Sequence, residues 1–61
     1  MSKIKELREK TGMTQLELAR KMGVKRSTVA MWETGYIMPH AAKLPSLAKN
    51  LKCTVDDLFS N

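Results

Sequence analysis

The 61-residue sequence predicts an all-α fold of five short helices. Apolar side chains recur at intervals of three and four residues along most of the chain, a spacing that keeps them on one face of a helix. Capping residues and glycines divide this pattern into short segments. The sequence offers no strand candidate of any strength, so the helices must bury their apolar faces against one another.

The length and composition of the chain limit it to one small domain, residues 1–61. A chain of this size buries only about 60% of its unfolded surface, which excludes a second core. No apolar run approaches the roughly 20 residues that cross a bilayer. The start, MSKIKELREK, alternates charged and apolar residues and is unlike a secretion signal. A lone cysteine, Cys53, cannot form an internal disulfide, which suits a reducing compartment.

Basic residues outnumber acidic ones and are concentrated in the middle of the chain. Eleven Lys and Arg stand against six Asp and Glu, for a net charge of +5. Such a surplus favours polyanionic partners, although the charge alone equally fits a solvated surface. The cations that lie within one stretch of seven residues are Arg20, Lys21, Lys25 and Arg26.

Glycines and a proline mark where the helices end and begin. Glycine adopts the left-handed backbone that closes a helix without steric strain. Proline is tolerated only in the first turn of a helix, so Pro45 must lie near the start of helix 4. The glycines expected to end helices 1, 2 and 3 are Gly12, Gly23 and Gly35. The expected helices cover residues 2–11, about 15–22, 25 or 26 to 33 or 34, 42–51 and a short segment after residue 54.

Capping residues support the starts of three of these helices. Ser2 is suited to cap helix 1, and Thr14 and Glu17 have the spacing of a capping box before helix 2. Thr54 is expected to cap helix 5, where two aspartates favour the positive end of the helix. Lys25 is a poor cap for helix 3. The apolar side chains of helix 5 that are expected to pack inward are Val55, Leu58 and Phe59.

Helices 2 and 3 are expected to meet at a steep angle. Only a few residues around Gly23 separate them, and so short a joint forces the two axes to cross, as in a helix-turn-helix. The earlier helix needs a small residue where the two press together, and Ala19 lies there. The apolar residues that fix this unit to the rest of the domain are Leu18, Met22, Val24, Val29 and Trp32.

These segments resemble a known family, the phage repressor and Cro-like helix-turn-helix proteins, also called the XRE family. TQLELARKMGV is similar to the family's helix 2 and turn, RSTVAMWETG to its recognition helix, and LAKNLKCTVDDLF to its last two helices. The resemblance implies a five-helix, repressor-like domain that binds double-stranded DNA, usually as a dimer on a pseudo-palindromic operator. By position, Arg26, Ser27 and Met31 match the family's base-reading sites, and Gln15 matches a glutamine that contacts phosphate.

The outward face of helix 3 suits this role. A forked arginine can bond to guanine O6 and N7, a hydroxyl serves either hydrogen-bonding sense, and small apolar groups contact the thymine methyl. Met31 fits equally well as a loosely packed gap-filler. The expected base contacts are Arg26, Ser27, Ala30 and Met31. The expected contacts to the DNA backbone are Thr14, Gln15, Arg20, Lys21, Lys25, Thr28, Thr34 and Tyr36.

The resemblance also implies a structural ion pair and a dimer surface. Arg8 and Glu33 occupy positions that form a buried or half-buried ion pair in the family. The dimer surface would be the loop before helix 5 together with helix 5 and the tail. Its small apolar area favours a weak or DNA-induced homodimer. The residues implied for this surface are Lys52, Cys53, Thr54, Val55 and Leu58.

Other kinds of site find little support in the sequence. Trp32 belongs to the apolar stripe and is expected in the core, and Cys53 is expected to be a buried small hydrophobe. His40 has no second ligand at metal-binding spacing. The sequence has no histidine near a nucleophile and no glycine-rich phosphate loop. We therefore expect no enzyme activity, metal, cofactor or small-molecule ligand.

The sequence therefore predicts a sequence-specific transcriptional regulator. We expect a repressor that acts by operator occupancy in the cytoplasm of a prokaryote, encoded by the cell or by a phage, and either a stand-alone Cro-sized protein or a fragment. The alternative is an antitoxin-type or adaptor protein of the same fold, whose main role is to bind a protein partner. The exposed apolar residues that would serve this alternative are Leu16, Ile37 and Met38.

Overall fold

Four α-helices and two single turns of 3₁₀-helix form the structure, a computed structural model that describes residues 3–59. No strand occurs within these residues, and the predicted all-α class is confirmed. The 3₁₀ turns cover Ala41–Lys43 and Asp56–Leu58. The α-helices are α1 (Ile4–Lys10), α2 (Gln15–Met22), α3 (Arg26–Thr34) and α4 (Leu44–Asn50).

All four helices contribute apolar side chains to one core. Trp32 is only 2% exposed, so its predicted place in the core is confirmed. The segment after α4 closes the core with Leu58, and the backbone N–H of Lys3 donates to the Leu58 carbonyl over 3.3 Å. The two ends of the described chain are therefore adjacent. The buried apolar residues are Ile4, Leu18, Ala19, Met22, Val29, Trp32, Leu47, Ala48, Leu51 and Leu58.

The start of α2 is fixed by the predicted capping box. The Thr14 hydroxyl accepts a hydrogen bond from the Glu17 backbone N–H at 3.1 Å, and the Glu17 carboxylate accepts one from the Thr14 N–H at 2.8 Å. These two bonds lower the pKa of Glu17. A pair of N–H groups that the helix leaves without partners is thereby satisfied, which sets the helix start at residue 15.

The joint between α2 and α3 is short because Gly23 reverses the chain. Its φ of 69° is left-handed, and the next N–H, of Val24, donates to the Ala19 carbonyl at 3.0 Å. The third helix then begins at Arg26 and ends before Gly35, within the predicted bounds. As expected, Lys25 supplies no side-chain cap. Among the helices, α2 and α3 pack against each other most extensively.

The predicted bounds of the first and fourth helices are too long. The first begins at Ile4 without a side-chain cap from Lys3, and the Ser2 cap lies outside the described residues. The fourth α-helix begins at Leu44 after a 3₁₀ turn, rather than at 42, and ends at Asn50. Pro45 lies in its first turn as predicted, where its missing N–H removes no helical bond.

The prediction of a fifth helix is wrong, because the segment after residue 54 forms only a 3₁₀ turn. The expected cap is present: the Thr54 N–H donates to the Asp57 carboxylate at 3.0 Å, and the Asp57 N–H donates to the Thr54 hydroxyl at 3.1 Å. A single turn, however, forms few hydrogen bonds to offset the conformational entropy lost when its backbone dihedral angles are fixed. A 3₁₀ turn aligns side chains three residues apart, so Val55 and Leu58 share the inward face. Phe59 falls one step beyond that face and is 47% exposed, contrary to its expected packing.

Lys52 closes α4 in a left-handed conformation, with φ of 56°. The following N–H, of Cys53, donates to the Ala48 carbonyl at 2.9 Å. This arrangement matches those at Gly12 and Gly23, where the following N–H likewise reaches back five residues. A lysine thus occupies a position that glycine fills after α1 and α2.

Candidate nucleic-acid interface

The first two residues of α3 are exposed, as is its last residue, Thr34. Arg26 and Ser27 are exposed, whereas Val29 and Trp32 on the opposite side are buried. The two later candidates for base contact, Ala30 and Met31, are half-buried. Of the four candidates for base contact, Arg26 and Ser27 are therefore the most exposed, and the smaller exposed area of Met31 suits an apolar contact.

Four exposed cations flank the turn between α2 and α3. Arg20 and Lys21 lie in the last turn of α2, Lys25 is the residue before α3, and Arg26 is its first residue. Neither of the ion pairs seen within residues 3–59, Lys3–Glu6 and Arg8–Glu33, uses any of these four. Their charge remains available to an anionic partner.

The end of α3 is tied to α1 by a buried ion pair. The Arg8 guanidinium donates through Nε and Nη2 to the two carboxylate oxygens of Glu33, and through Nη1 to the Met13 carbonyl at 2.8 Å. The two side chains are only 10% and 3% exposed. The hydrogen bond to Glu33 raises the pKa of Arg8. This forked pair fixes the far end of α3 against the core.

Gln15 connects this ion pair to Arg26. Its Nε2 donates to Glu33 Oε1 at 2.9 Å, and its Oε1 accepts from Arg26 Nη1 at 3.0 Å. Sequence reasoning treated Gln15 only as a phosphate contact and missed this bridge. The sequence does place a cation, Arg26, and a carboxylate, Glu33, near the two ends of the helix that follows Gln15. These positions along the chain do not by themselves indicate that the three side chains are in contact.

The remaining candidates for backbone contact occupy the edges of this surface. Thr14 is exposed, although its hydroxyl also caps α2, and Thr28 is half-buried. Thr34 is exposed at the end of α3, where its hydroxyl donates to the Met31 carbonyl at 3.2 Å. Tyr36 follows in the loop and is 79% exposed.

The residues implied for a dimer surface differ in how much surface they offer. Lys52 and Thr54 are exposed, while Cys53 and Val55 are half-buried and pack against the core. Burial raises the pKa of the Cys53 thiol. Leu58 is 1% exposed, so it presents almost nothing to a partner.

His40 is exposed in the loop between α3 and α4. Between residues 3 and 59, no three His, Cys, Asp or Glu side chains are grouped as a metal ion would require. None of the helices in the same range has both the length and the apolar character needed to span a bilayer.

The turn at Gly23, the buried Ala19 and the exposed start of α3 define a helix-turn-helix protein, the class in which the second helix of the unit enters the major groove. Comparison with known proteins agrees, since the helix-turn-helix family model HTH_3 matches residues 4–58. The chain belongs to this family, the XRE-type helix-turn-helix proteins, and the resemblance seen in the sequence is confirmed.

Relatives of known name carry the same description. An uncharacterized HTH-type transcriptional regulator of Archaeoglobus fulgidus is 40% identical over 58 residues, covering 95% of this chain and 83% of its own. A second from that organism is 36% identical, with 82% of its length covered. The HTH-type transcriptional activator BcrR of Enterococcus faecalis is 33% identical, but only 28% of its length is covered. The chain is thus a DNA-binding transcriptional regulator.

Proposed function

We propose that this regulator reads a specific operator through the first residues of α3. The observation that carries the proposal is the exposure of Arg26 and Ser27 next to the exposed cations Arg20, Lys21 and Lys25 of the turn region. The N-terminal residues of a recognition helix lie nearest the base edges, and a forked arginine suits guanine. Ala30 and Met31, further along the same helix, contribute apolar contacts to a thymine methyl.

The surrounding residues are proposed to hold the DNA backbone. The exposed cations contact phosphates, which fixes the register of the protein without reading sequence. Gln15 contributes as well, because its amide nitrogen carries two hydrogens and only one is donated to Glu33. Threonine and tyrosine hydroxyls complete the set. The residues assigned to backbone contact are Thr14, Gln15, Arg20, Lys21, Lys25, Thr28, Thr34 and Tyr36.

The assembly proposed on DNA is a homodimer on a pseudo-palindromic site. One recognition helix covers only a few base pairs, and a two-fold pair doubles that footprint with half-sites about 34 Å apart. The segment from Lys52 to Leu58 is assigned to the dimer contact. Its burial in the monomer leaves little apolar area, which supports a weak dimer completed on DNA.

Repression by occupancy is the proposed outcome of binding, within the cytoplasm where the operator lies. A protein that covers promoter DNA blocks transcription without any catalytic step of its own. One named relative is an activator, and transcription measured with and without the protein distinguishes the two outcomes. Transcription from a promoter that overlaps the selected site should fall when the protein is added; a rise would reverse this assignment.

Selection of bound sites from random DNA tests the proposal directly. We expect a two-fold symmetric consensus, and ultracentrifugation should give two protein chains per site and a monomer in the absence of DNA. Arg26→Ala should remove the preference at one base position, whereas Lys3→Ala, outside the surface, should keep it. A one-to-one complex on an asymmetric site would contradict the proposed dimer.

A protein-binding role is the second candidate. Leu16, Ile37 and Met38 are exposed apolar side chains, which an antitoxin-type or adaptor protein could use against a partner. A pull-down from the source cell would separate the candidates. This second role would be favoured if a protein partner is recovered in stoichiometric amount, if Ile37→Ser abolishes its binding, and if the protein selects no DNA site.

A further inference from the structure

We infer that Glu33 positions Arg26 for base reading by acting through Gln15. The inference rests on the proposed function, in which Arg26 contacts a base. It gives Glu33 a part in sequence preference that is separate from its ion pair with Arg8.

The contacts form a continuous chain from the core to the exposed start of α3, which is the surface proposed to read DNA. Arg8 donates to both oxygens of Glu33, whose side chain is 3% exposed. Glu33 Oε1 also accepts from Gln15 Nε2 at 2.9 Å, and Gln15 Oε1 accepts from Arg26 Nη1 at 3.0 Å. Exposure increases along this chain, from buried Glu33 through half-buried Gln15 to exposed Arg26.

The donor and acceptor chemistry allows the Gln15 amide only one orientation. An ionised carboxylate only accepts hydrogen bonds, and a guanidinium only donates them. The amide must therefore turn its NH₂ toward Glu33 and its oxygen toward Arg26. Glu33 itself cannot turn away, because Arg8 engages both of its oxygens. The orientation of the Gln15 oxygen is thus set from the buried side.

The consequence for Arg26 is a restricted set of side-chain positions. Arginine is among the side chains with most rotamer freedom, and recognition of guanine requires two of its donors in one plane. Engaging one Nη1 hydrogen with Gln15 leaves the donors on Nε and Nη2 free for a base. A guanidinium held in this way before DNA arrives has less freedom to lose on binding.

Glu33→Gln tests this relay while keeping an acceptor for Arg8. The new amide can donate to Gln15, which allows the Gln15 amide to turn its NH₂ toward Arg26, where two donors oppose each other. We expect the preference at the base position that Arg26→Ala abolishes to fall by about tenfold, the scale of one hydrogen bond to a charged group. Gln15→Met, which removes both bonds, should lower the preference by a similar factor. The double variant should be no worse than Gln15→Met alone.

Leu44→Ala is the control for stability, because Leu44 packs half-buried against the core from α4 and takes no part in these hydrogen bonds. It should lower stability in urea while keeping the base preference. Preference measured on selected and single-substituted sites is a ratio, so a uniform loss of folded protein does not change it. If Glu33→Gln fails to fold, the half-exposed Gln15→Met variant decides the question.

The outcomes separate this inference from the function on which it rests. A wild-type protein that selects no site overturns the proposed function, and an Arg26→Ala variant that loses no base position overturns the assignment of Arg26; the inference falls with either. Loss of preference in Arg26→Ala but full preference in both Glu33→Gln and Gln15→Met overturns the inference alone. So does a loss in Leu44→Ala as large as that in Glu33→Gln, since Leu44→Ala leaves all the hydrogen bonds of the relay in place.

Discussion

Arg8 of α1 and Glu33 of α3 form a forked ion pair that is almost closed to solvent, while the other ion pair seen within residues 3–59, Lys3–Glu6, is exposed at 3.8 Å. Removing one partner of a buried pair leaves the other charge without compensation, whereas an exposed pair contributes little. The two pairs therefore differ sharply in their expected effect on stability.

Arg8→Ala should lower the free energy of unfolding by about 3–5 kcal/mol, because the Glu33 carboxylate stays buried without its main donor. For a domain this small, such a loss leaves much of the protein unfolded. Urea denaturation followed by circular dichroism measures it. Lys3→Ala, which breaks the exposed pair, should change stability by less than about 0.5 kcal/mol. Equal effects of the two variants would show that the buried pair has no special role.

The affinity for DNA should depend strongly on salt because four exposed cations flank the turn between α2 and α3. Each phosphate neutralised adds about −0.9 to the slope of log K against log salt concentration. Lys21→Ala should reduce the magnitude of the slope by about one unit and weaken specific and non-specific binding alike. Lys3→Ala removes the same charge beside the last 3₁₀ turn and should leave the slope unchanged. A wild-type slope near zero would rule out phosphate contacts by this surface.

Lys52→Gly should stabilise the protein, because the left-handed backbone at this position strains any side chain with a Cβ. The strain amounts to about 1–2 kcal/mol, part of which the freer unfolded chain of the glycine variant offsets. We expect a net gain of about 0.5–1 kcal/mol in the free energy of unfolding. Lys52→Ala removes the charge but keeps the Cβ, so it is the control and should gain nothing. Equal stability of the two variants would exclude backbone strain at Lys52.

Acid should destabilise the protein through its two capping carboxylates. Hydrogen bonds from Thr14 and Thr54 lower the pKa values of Glu17 and Asp57 in the folded state. A lowered folded-state pKa stabilises the fold above the ordinary carboxylate pKa of about 4, and this stability is lost as the pH falls through the lower folded-state value.

Glu17→Gln tests this linkage at Glu17. Urea midpoints measured between neutral pH and about pH 3 should decline less steeply for this variant than for the wild type, since no carboxylate remains at this cap to be protonated. Glu9→Gln, the same substitution at an exposed position outside both caps, should keep the wild-type decline. A Glu17→Gln profile parallel to the wild type would exclude this cap as a source of acid sensitivity.

Local chemistry made much of this fold predictable. The capping box joins Thr14 to Glu17 across three residues, and Gly23 closes α2 by its own backbone freedom, so neither feature depends on the rest of the molecule. The fifth helix failed although its cap is present, because a cap fixes where a helix begins and not how far it continues.

The site was less predictable because its contacts come from packing. Glu33 lies 25 residues from Arg8 and 18 from Gln15 along the chain, and only the docking of α1 and α2 against α3 brings the three together. The family resemblance supplied the Arg8–Glu33 pair but not the bridge to Arg26. Candidates for base contact that share one face of the helix also differ in exposure, since Ser27 is exposed and Ala30 is half-buried.

The hydrogen bond from the Lys3 N–H to the Leu58 carbonyl holds the two ends of the described chain together. The helices could therefore follow one another in a different order along the chain and still form the same fold. A short peptide joining the two neighbouring ends would allow new ends to be opened in the exposed loop near Tyr36. In such a circular permutant α4 would precede α1, while α2, its turn and α3 would stay contiguous. The permuted chain should fold and bind DNA as the unpermuted chain does, because the surface around the start of α3 depends on which helices pack together and not on which is synthesised first.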